Sequence, residues 1–373
     1  MYQIIFFLIT LSFFACTAPT AHHDEIIDLV SAAQAPICIN DLFDSVKFVK
    51  LESNDKCPVS DQSDAFLSKK YVIVVDRIAQ TVYLFDKNTG KYIRNIGKRG
   101  RGPGEFHNPF SLINVVFDDI NEILYFNHID HRMGIQIETG AISTIKIKFK
   151  IEGHPLLMSN FATLDSTRYV GYLTNIKGAD SIKLIVFNKE GDVLNTFRNY
   201  MKHNNYNPIV TPMHPGNFYY YNQTVHFKEH KNDTIFAVTG DSILPYKYIH
   251  AGNKQMPYQL PPNTGVVDFY TIGVLGESDS FILFGYLDGI KSYRGYYDKK
   301  DRKTIVYEET GKDISCKYFF PDRHNRAGEF YTMLNVSDIY DFVKANKNIE
   351  TSQLLDIKEE DNPIILIAKP KQN

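Results

Sequence analysis

The chain has 373 residues, room for two average domains or one large β architecture. Its 41 Lys and Arg against 43 Asp and Glu give a formal net charge of −2, which excludes the basic excess of a nucleic-acid-binding surface. Hydrophobic residues at 43% exclude a mainly disordered chain. The 24 Tyr and 26 Phe, with no Trp, lean toward β structure, since aromatic side chains suit a pleated, half-buried surface.

Residues 1–15 read MYQIIFFLITLSFFA, too short for a membrane-spanning helix of about 20 residues. At an N-terminus this is the hydrophobic region of a secretory signal. Ala15-Cys16 follows, then a polar segment with Thr17, Pro19, His22 and His23. A small residue before Cys at this place resembles a bacterial lipoprotein signal, which implies that Cys16 is acylated after cleavage. The alternative is a plain cleaved signal with an incidental cysteine. The expected organisation is a signal over 1–15, a lipidated N-terminus and linker over 16–44, and one domain over 45–373. The remaining Cys38, Cys57 and Cys316 allow one disulfide in an oxidising compartment, and their spacing fits no zinc pattern.

Period-two patterning starts after residue 44. Residues 71–76, 81–86 and 91–96 read as three strands joined by tight turns, the second turn being Lys87-Asn88-Thr89-Gly90. The unit recurs with strands at 111–117, 122–127, 133–138 and 141–149, where Thr139-Gly140 takes the place of Thr89-Gly90. A third copy has strands at 168–173, 183–188 and 192–197, and a fourth at 224–229, 234–239 and 242–250. The fifth has 266–275, 281–286, 292–298 and 304–308. The landmarks return about every 45 to 55 residues, the period of propeller blades. A last copy uses 314–320, 329–334 and 362–369, with a short helix over 336–347 inserted on the spacing of Val336, Ile339, Tyr340 and Val343. Its fourth strand is expected from 45–52, so that strands from both ends close the ring and remove sheet edges.

The motifs Val75-Asp76, Val82-Tyr83-Leu84-Phe85-Asp86 and Asn88-Thr89-Gly90-Lys91, followed by Gly97-Lys-Arg-Gly-Arg-Gly-Pro-Gly-Glu-Phe106, resemble the NHL-repeat β-propellers. Taken whole, the chain resembles the six-bladed propeller lipoproteins of Bacteroidetes, including the ending Glu-Glu-Asp-Asn-Pro-Ile-Ile-Leu-Ile-Ala over 359–368. The resemblance implies an all-β, six-bladed propeller of four-stranded antiparallel blades in the bacterial cell envelope, periplasm-facing or attached to the outer membrane. That group has no settled common activity.

In that fold the connections 97–109, 127–132, 175–180, 199–217 and 230–233 share one face with Arg77, around the central channel. Arg77, Arg99, Arg101, His131, Arg132 and Tyr206 are the candidate ligand-binding residues there, because cationic, amide and aromatic side chains suit a concave carbohydrate or peptide site. His128, Asp130 and His131, with His107, could hold a metal, although histidines and an Asp in a surface turn are more often simply solvated. The run Gly100-Arg-Gly-Pro-Gly104 lacks P-loop spacing and serves as a turn between blades. The sequence has neither a G-x-S-x-G elbow nor a Cys-His signature, and no catalytic residue is assigned. The expectation is a monomeric, non-enzymatic, cofactor-free module that binds a glycan, peptide or envelope protein and meets the membrane only through its lipid. The alternative is an envelope hydrolase or lyase at the propeller mouth, with or without a metal.

Overall fold

Strands end where an aspartate can close the following turn. Asp76, Asp86, Asp118 and Asp298 each accept the backbone N–H groups two and three residues further on, at 2.8–3.1 Å. That geometry lets the chain reverse without losing backbone hydrogen bonds. The turn from third to fourth strand also carries glycine at positive φ, +71° at Gly90 and +82° at Gly191. These two carbonyls accept from Glu52 N (2.9 Å) and Lys148 N (2.8 Å) of the preceding blade. A Cβ at Gly90 would lie 1.8 Å from the Lys50 carbonyl oxygen, so only glycine permits this blade-to-blade contact.

The computed structural model describes residues 26–372 apart from 101, 103–104, 107–114, 129–130, 152–153, 156–157, 174–179, 202–216, 230, 262–263, 310–319, 346–353 and 355. Six antiparallel sheets follow one another in the chain. Blade 1 comprises Ser63–Leu67, Tyr71–Asp76, Thr81–Asp86 and Tyr92–Arg99; blade 2, Val115–Asp118, Ile123–Asn127, Arg132–Gln136 and Ile142–Ile145. Blade 3 has Met158–Thr163, Arg168–Leu173, Ile182–Asn188 and Val193–Arg198, and blade 4 has Asn217–Tyr221, Thr224–Lys228, Thr234–Val238 and Ile243–His250. Blade 5 is Tyr270–Glu277, Phe281–Asp288, Lys291–Asp298 and Lys303–Glu308. Blade 6 takes Arg323–His324, Phe330–Leu334 and Ile364–Pro370, and its outer strand is Phe43–Lys50 from near the N-terminus.

The hydrophobic core is six clusters, one at each blade interface, including the one between blades 6 and 1 that closes the ring. This is a six-bladed β-propeller. Its second strands are buried on both faces, as with Val72 to Val75 at 0% exposure, which explains their unbroken apolar runs. Outer strands alternate, as Val193–Arg198 does. Among the described residues, helices are limited to short segments, chiefly Ile39–Leu42 and Val336–Ala345; the latter buries Val336, Ile339 and Val343 against blade 6.

Two differences from the sequence reading stand out. The inner strand of blade 6 is Arg323–His324, whereas residues 314–319 of the expected strand lie outside the described residues. The segment read as a linker also pairs: Ile26–Asp28 lies parallel to the outer strand of blade 4, and Ala33–Gln34 parallel to that of blade 5. Both additions cover edges that would otherwise present unpaired backbone groups.

Candidate functional site: the central channel

The six inner strands surround the channel with one polarity. Connections from the preceding blade enter at one end, and the turn into the second strand lies at the other. Alternation along strands such as Ser63–Leu67 puts some side chains into the inter-blade cores and turns others toward the axis.

At the turn end the channel is bridged by Arg326. Its backbone N and Nε donate to Asp119 of blade 2 (both 3.2 Å), Nη1 to the Gln223 carbonyl of blade 4 (3.4 Å), and Nη2 to the Thr163 carbonyl of blade 3. The guanidinium lies 3.9 Å over the Tyr220 ring. Burial pushes the Asp119 carboxyl above the usual range, and the charge and hydrogen bonds of Arg326 oppose that rise. One arginine thus ties four blades. Arg326→Ala is expected to cost about 3 kcal/mol, because it leaves Asp119 buried without its partner. Denaturant titration of Arg326→Ala and of Arg326→Ala/Asp119→Asn checks this; the double variant should regain part of the loss.

Inside lies a cavity of about 300 Å³ reached by all six blades, with Phe66, Phe117, Phe161, Tyr220 and Leu275 among its walls. A second depression of about 430 Å³ lies on the turn face; Asp119 and Asn325 border both. Lys87 there pairs with Glu329 at 2.7 Å, and the Lys69 backbone N–H donates to Glu122 at 3.2 Å.

The polar groups of the inner cavity come mainly from blade 6. The Asp64 carboxylate of blade 1 accepts from both Arg77 and Arg323, so two guanidiniums share one carboxylate near the entry end. Arg323 also sits 5.5 Å over the Phe66 ring. His324, the next residue, lines the cavity, and its two ring nitrogens are buried without a hydrogen-bond partner among the described residues. Its ring packs on Phe330 at 4.4 Å, and burial pushes the imidazole down to about 3, so it is neutral at physiological pH.

Other buried charges lock blades together. Glu277 accepts from Tyr219 (2.9 Å), Tyr246 (2.6 Å) and Lys299 (2.6 Å) between blades 4 and 5. Glu229 accepts from Lys183 and Tyr172 between blades 3 and 4. These carboxylates are saturated by protein donors, which is the mark of a structural network.

Of the candidates drawn from the sequence, Arg77 reaches the channel entry. Arg101, His107, Asp130, Tyr206 and Cys16 lie outside the described residues, and the Arg99 side chain is likewise not described. Arg132 is buried at 2% exposure, inside blade 2 instead of on a solvent-facing mouth. His128 and His131 stack at 4.4 Å with rings 6° apart. Imidazole lone pairs lie in the ring plane, so this stack points them side by side and not at a shared ion. Among the described residues, no group of three potential ligands converges. Cys38 and Cys57 are free thiols, one exposed and one buried, and Cys316 is outside the description. The sequence reading missed Asp64, Arg323, His324 and Arg326. The polar run Arg323-His-Asn-Arg326 directly before an apolar strand was the available signal.

A ring of six four-stranded blades around a channel bridged at one end makes this a β-propeller domain. The chain belongs to the family described as Domain of unknown function (DUF4934), whose model matches residues 24–369. Among solved structures it is similar to the "Putative exported protein" of Bacteroides fragilis NCTC 9343, with 17% identity and a TM-score of 0.69 over 93% of this chain and 100% of that one. It is more distantly similar to the PQQ-bound aldose sugar dehydrogenase of Streptomyces coelicolor, with 11% identity and a TM-score of 0.41 over 90% of this chain and 99% of that one. No curated protein matches it in sequence. The first of these likenesses supports the fold.

Proposed function

We propose that this protein is an exported, lipid-anchored envelope propeller that binds, without turnover, the acidic end of a glycan at the entry of its central channel. The observation that carries the reading is the cavity of about 300 Å³, aromatic-walled and bridged behind by Arg326, with Arg323 and His324, whose ring nitrogens have no partner among the described residues, lining it beside Asp119, Asn160, Asp322 and Asn325. Aromatic walls suit the apolar face of a sugar ring, and a guanidinium forks onto a carboxylate. Export and anchoring are supported by the apolar segment before Ala15-Cys16 and by the likeness to a protein described as exported. Among the described residues, no helix is long and apolar enough to cross a membrane.

Binding to an array of neutral and acidic glycans, followed by calorimetry, tests the reading. Arg323→Gln should weaken an acidic ligand at least about tenfold and leave neutral ones little changed. Peptide ligands in place of glycans, cleavage of any ligand, or indifference to Arg323→Gln would each overturn it. Cys16→Ser should release the protein from membranes if the anchor is correct.

A further inference from the structure

Asp64 and Phe66 alternate with the buried Ala65 and Leu67 along the inner strand of blade 1, which turns Asp64 toward the channel. Its two carboxylate oxygens are divided between two guanidiniums: Oδ2 accepts from Arg77 of the same blade and Oδ1 from Arg323 of blade 6. Each guanidinium gives Asp64 only its Nη2, so neither forms the two-pronged pair that an arginine makes with a carboxylate of its own. Arg77 Nε is buried without a partner among the described residues. The Arg323 side chain is 36% exposed, lies 5.5 Å over the Phe66 ring and lines the cavity. A tie between blades 1 and 6 alone would be served by Arg323 and Asp64 paired through both prongs.

The charges of this group do not cancel. Arg77 and Arg323 together outweigh the single carboxylate of Asp64. Among the described residues that line the cavity, the other carboxylates are Asp322, which is exposed, and Asp119, already paired with Arg326. The entry therefore carries no more than one surplus positive charge. That suits the single charge of a uronate or a sulfate half-ester and falls short of the roughly two charges on a phosphate monoester. We infer, resting on the glycan reading above, that Asp64 sets the charge this site takes. It holds both arginines in place and cancels half of their charge, so that the channel entry accepts a singly charged sugar acid and rejects a phosphorylated sugar. Asp64 acts through the two arginines and is a positioning residue, not a ligand contact.

Calorimetry of the full chain with glucuronate, glucose 6-sulfate and glucose 6-phosphate tests this, because the sulfate has the phosphate's shape with about half its charge. The native protein should bind glucuronate and glucose 6-sulfate comparably, and glucose 6-phosphate at least about tenfold more weakly. Asp64→Asn keeps the shape and drops the charge, so it should shift the ratio of phosphate to glucuronate affinity at least about tenfold toward phosphate. A merely structural Asp64 would change stability and leave that ratio alone. A native preference for the phosphate, or a ratio unmoved in Asp64→Asn, overturns the charge selection. Rejection of glucose 6-sulfate along with the phosphate assigns the discrimination to shape and overturns it too. Where Asp64→Asn does not fold, Arg77→Gln reads the same balance from the other side. It should weaken glucuronate at least about tenfold, and an unchanged glucuronate affinity overturns the role given to the pair. Should the native protein bind none of the three sugars, the glycan reading falls and inorganic phosphate decides what is left. Phosphate should then raise the Tm of Asp64→Asn and not that of the native chain, and no difference between the two overturns the charge selection as well.

Discussion

A chain ending at Lys358 is expected to lose its cooperative unfolding transition. The missing segment contains Ile364–Pro370, the third strand of blade 6, paired on one side with Phe330–Leu334 and on the other with Phe43–Lys50. Ile364, Ile365, Leu366, Ile367 and Ala368 are at most 6% exposed and contribute to the clusters on both faces of the blade. Burying an Ile or Leu side chain is worth about 1.5–3 kcal/mol, so four of them approach the 5–15 kcal/mol that stabilises a typical domain. The N-terminal strand would lose its partner as well, and the ring would open between blades 6 and 1. Thermal unfolding followed by near-ultraviolet circular dichroism checks this, and a peptide covering 359–373 should restore the transition in part. A truncated chain melting cooperatively within a few degrees of the full one would show that closure by the C-terminal strand is dispensable.

The strands that make such closure possible were the legible part of the sequence. Second strands such as Tyr71–Asp76 are sandwiched between neighbouring blades, so their apolar runs stand out without any knowledge of partners. Their turns announce themselves through Asp76, Asp86 and Gly90, whose local geometry requires those residue types. Inner strands were harder to see. Ser63–Leu67 reads SDAFL and Met158–Thr163 reads MSNFAT, because one edge borders a polar channel and burial is uneven along the strand. The strand Arg323–His324 has two residues, too few for any periodicity. Channel chemistry was hidden for a different reason: Asp64 and Arg323 are 259 positions apart, and Arg326 meets Asp119 across 207. Arg77 was legible because its place in the turn after a second strand fixes its end of the blade. The burial of Arg132 and the stacking of His128 on His131 depend on packing that local patterning does not encode.

Acid should destabilise this propeller through the His324 imidazole, beside a smaller share from the buried His226. His324 has an ordinary unfolded pKa of 6.5, and burial in the channel wall pushes it down to about 3 in the native state. Between those values the unfolded chain takes up a proton that the native state refuses, so stability is complete above pH 6.5 and is lost as the pH falls toward 3. Each pH unit in that window costs up to about 1.4 kcal/mol, or 2 to 3 kcal/mol between pH 6.5 and 4.5. The native state cannot relieve this cheaply. Among the described residues neither ring nitrogen has a hydrogen-bond partner, and the ring is held between Phe330 and Gly276, where a Cβ would already stand 2.6 Å from the histidine Cβ. Carboxylates add their own acid sensitivity, but that background is shared with a variant that lacks the imidazole. Urea midpoints of the native protein and of His324→Leu at pH 7 and 4.5 therefore isolate the contribution. The variant should lose 2 to 3 kcal/mol less on acidification, whatever its stability at pH 7, and equal losses would show that the imidazole is solvated and titrates normally.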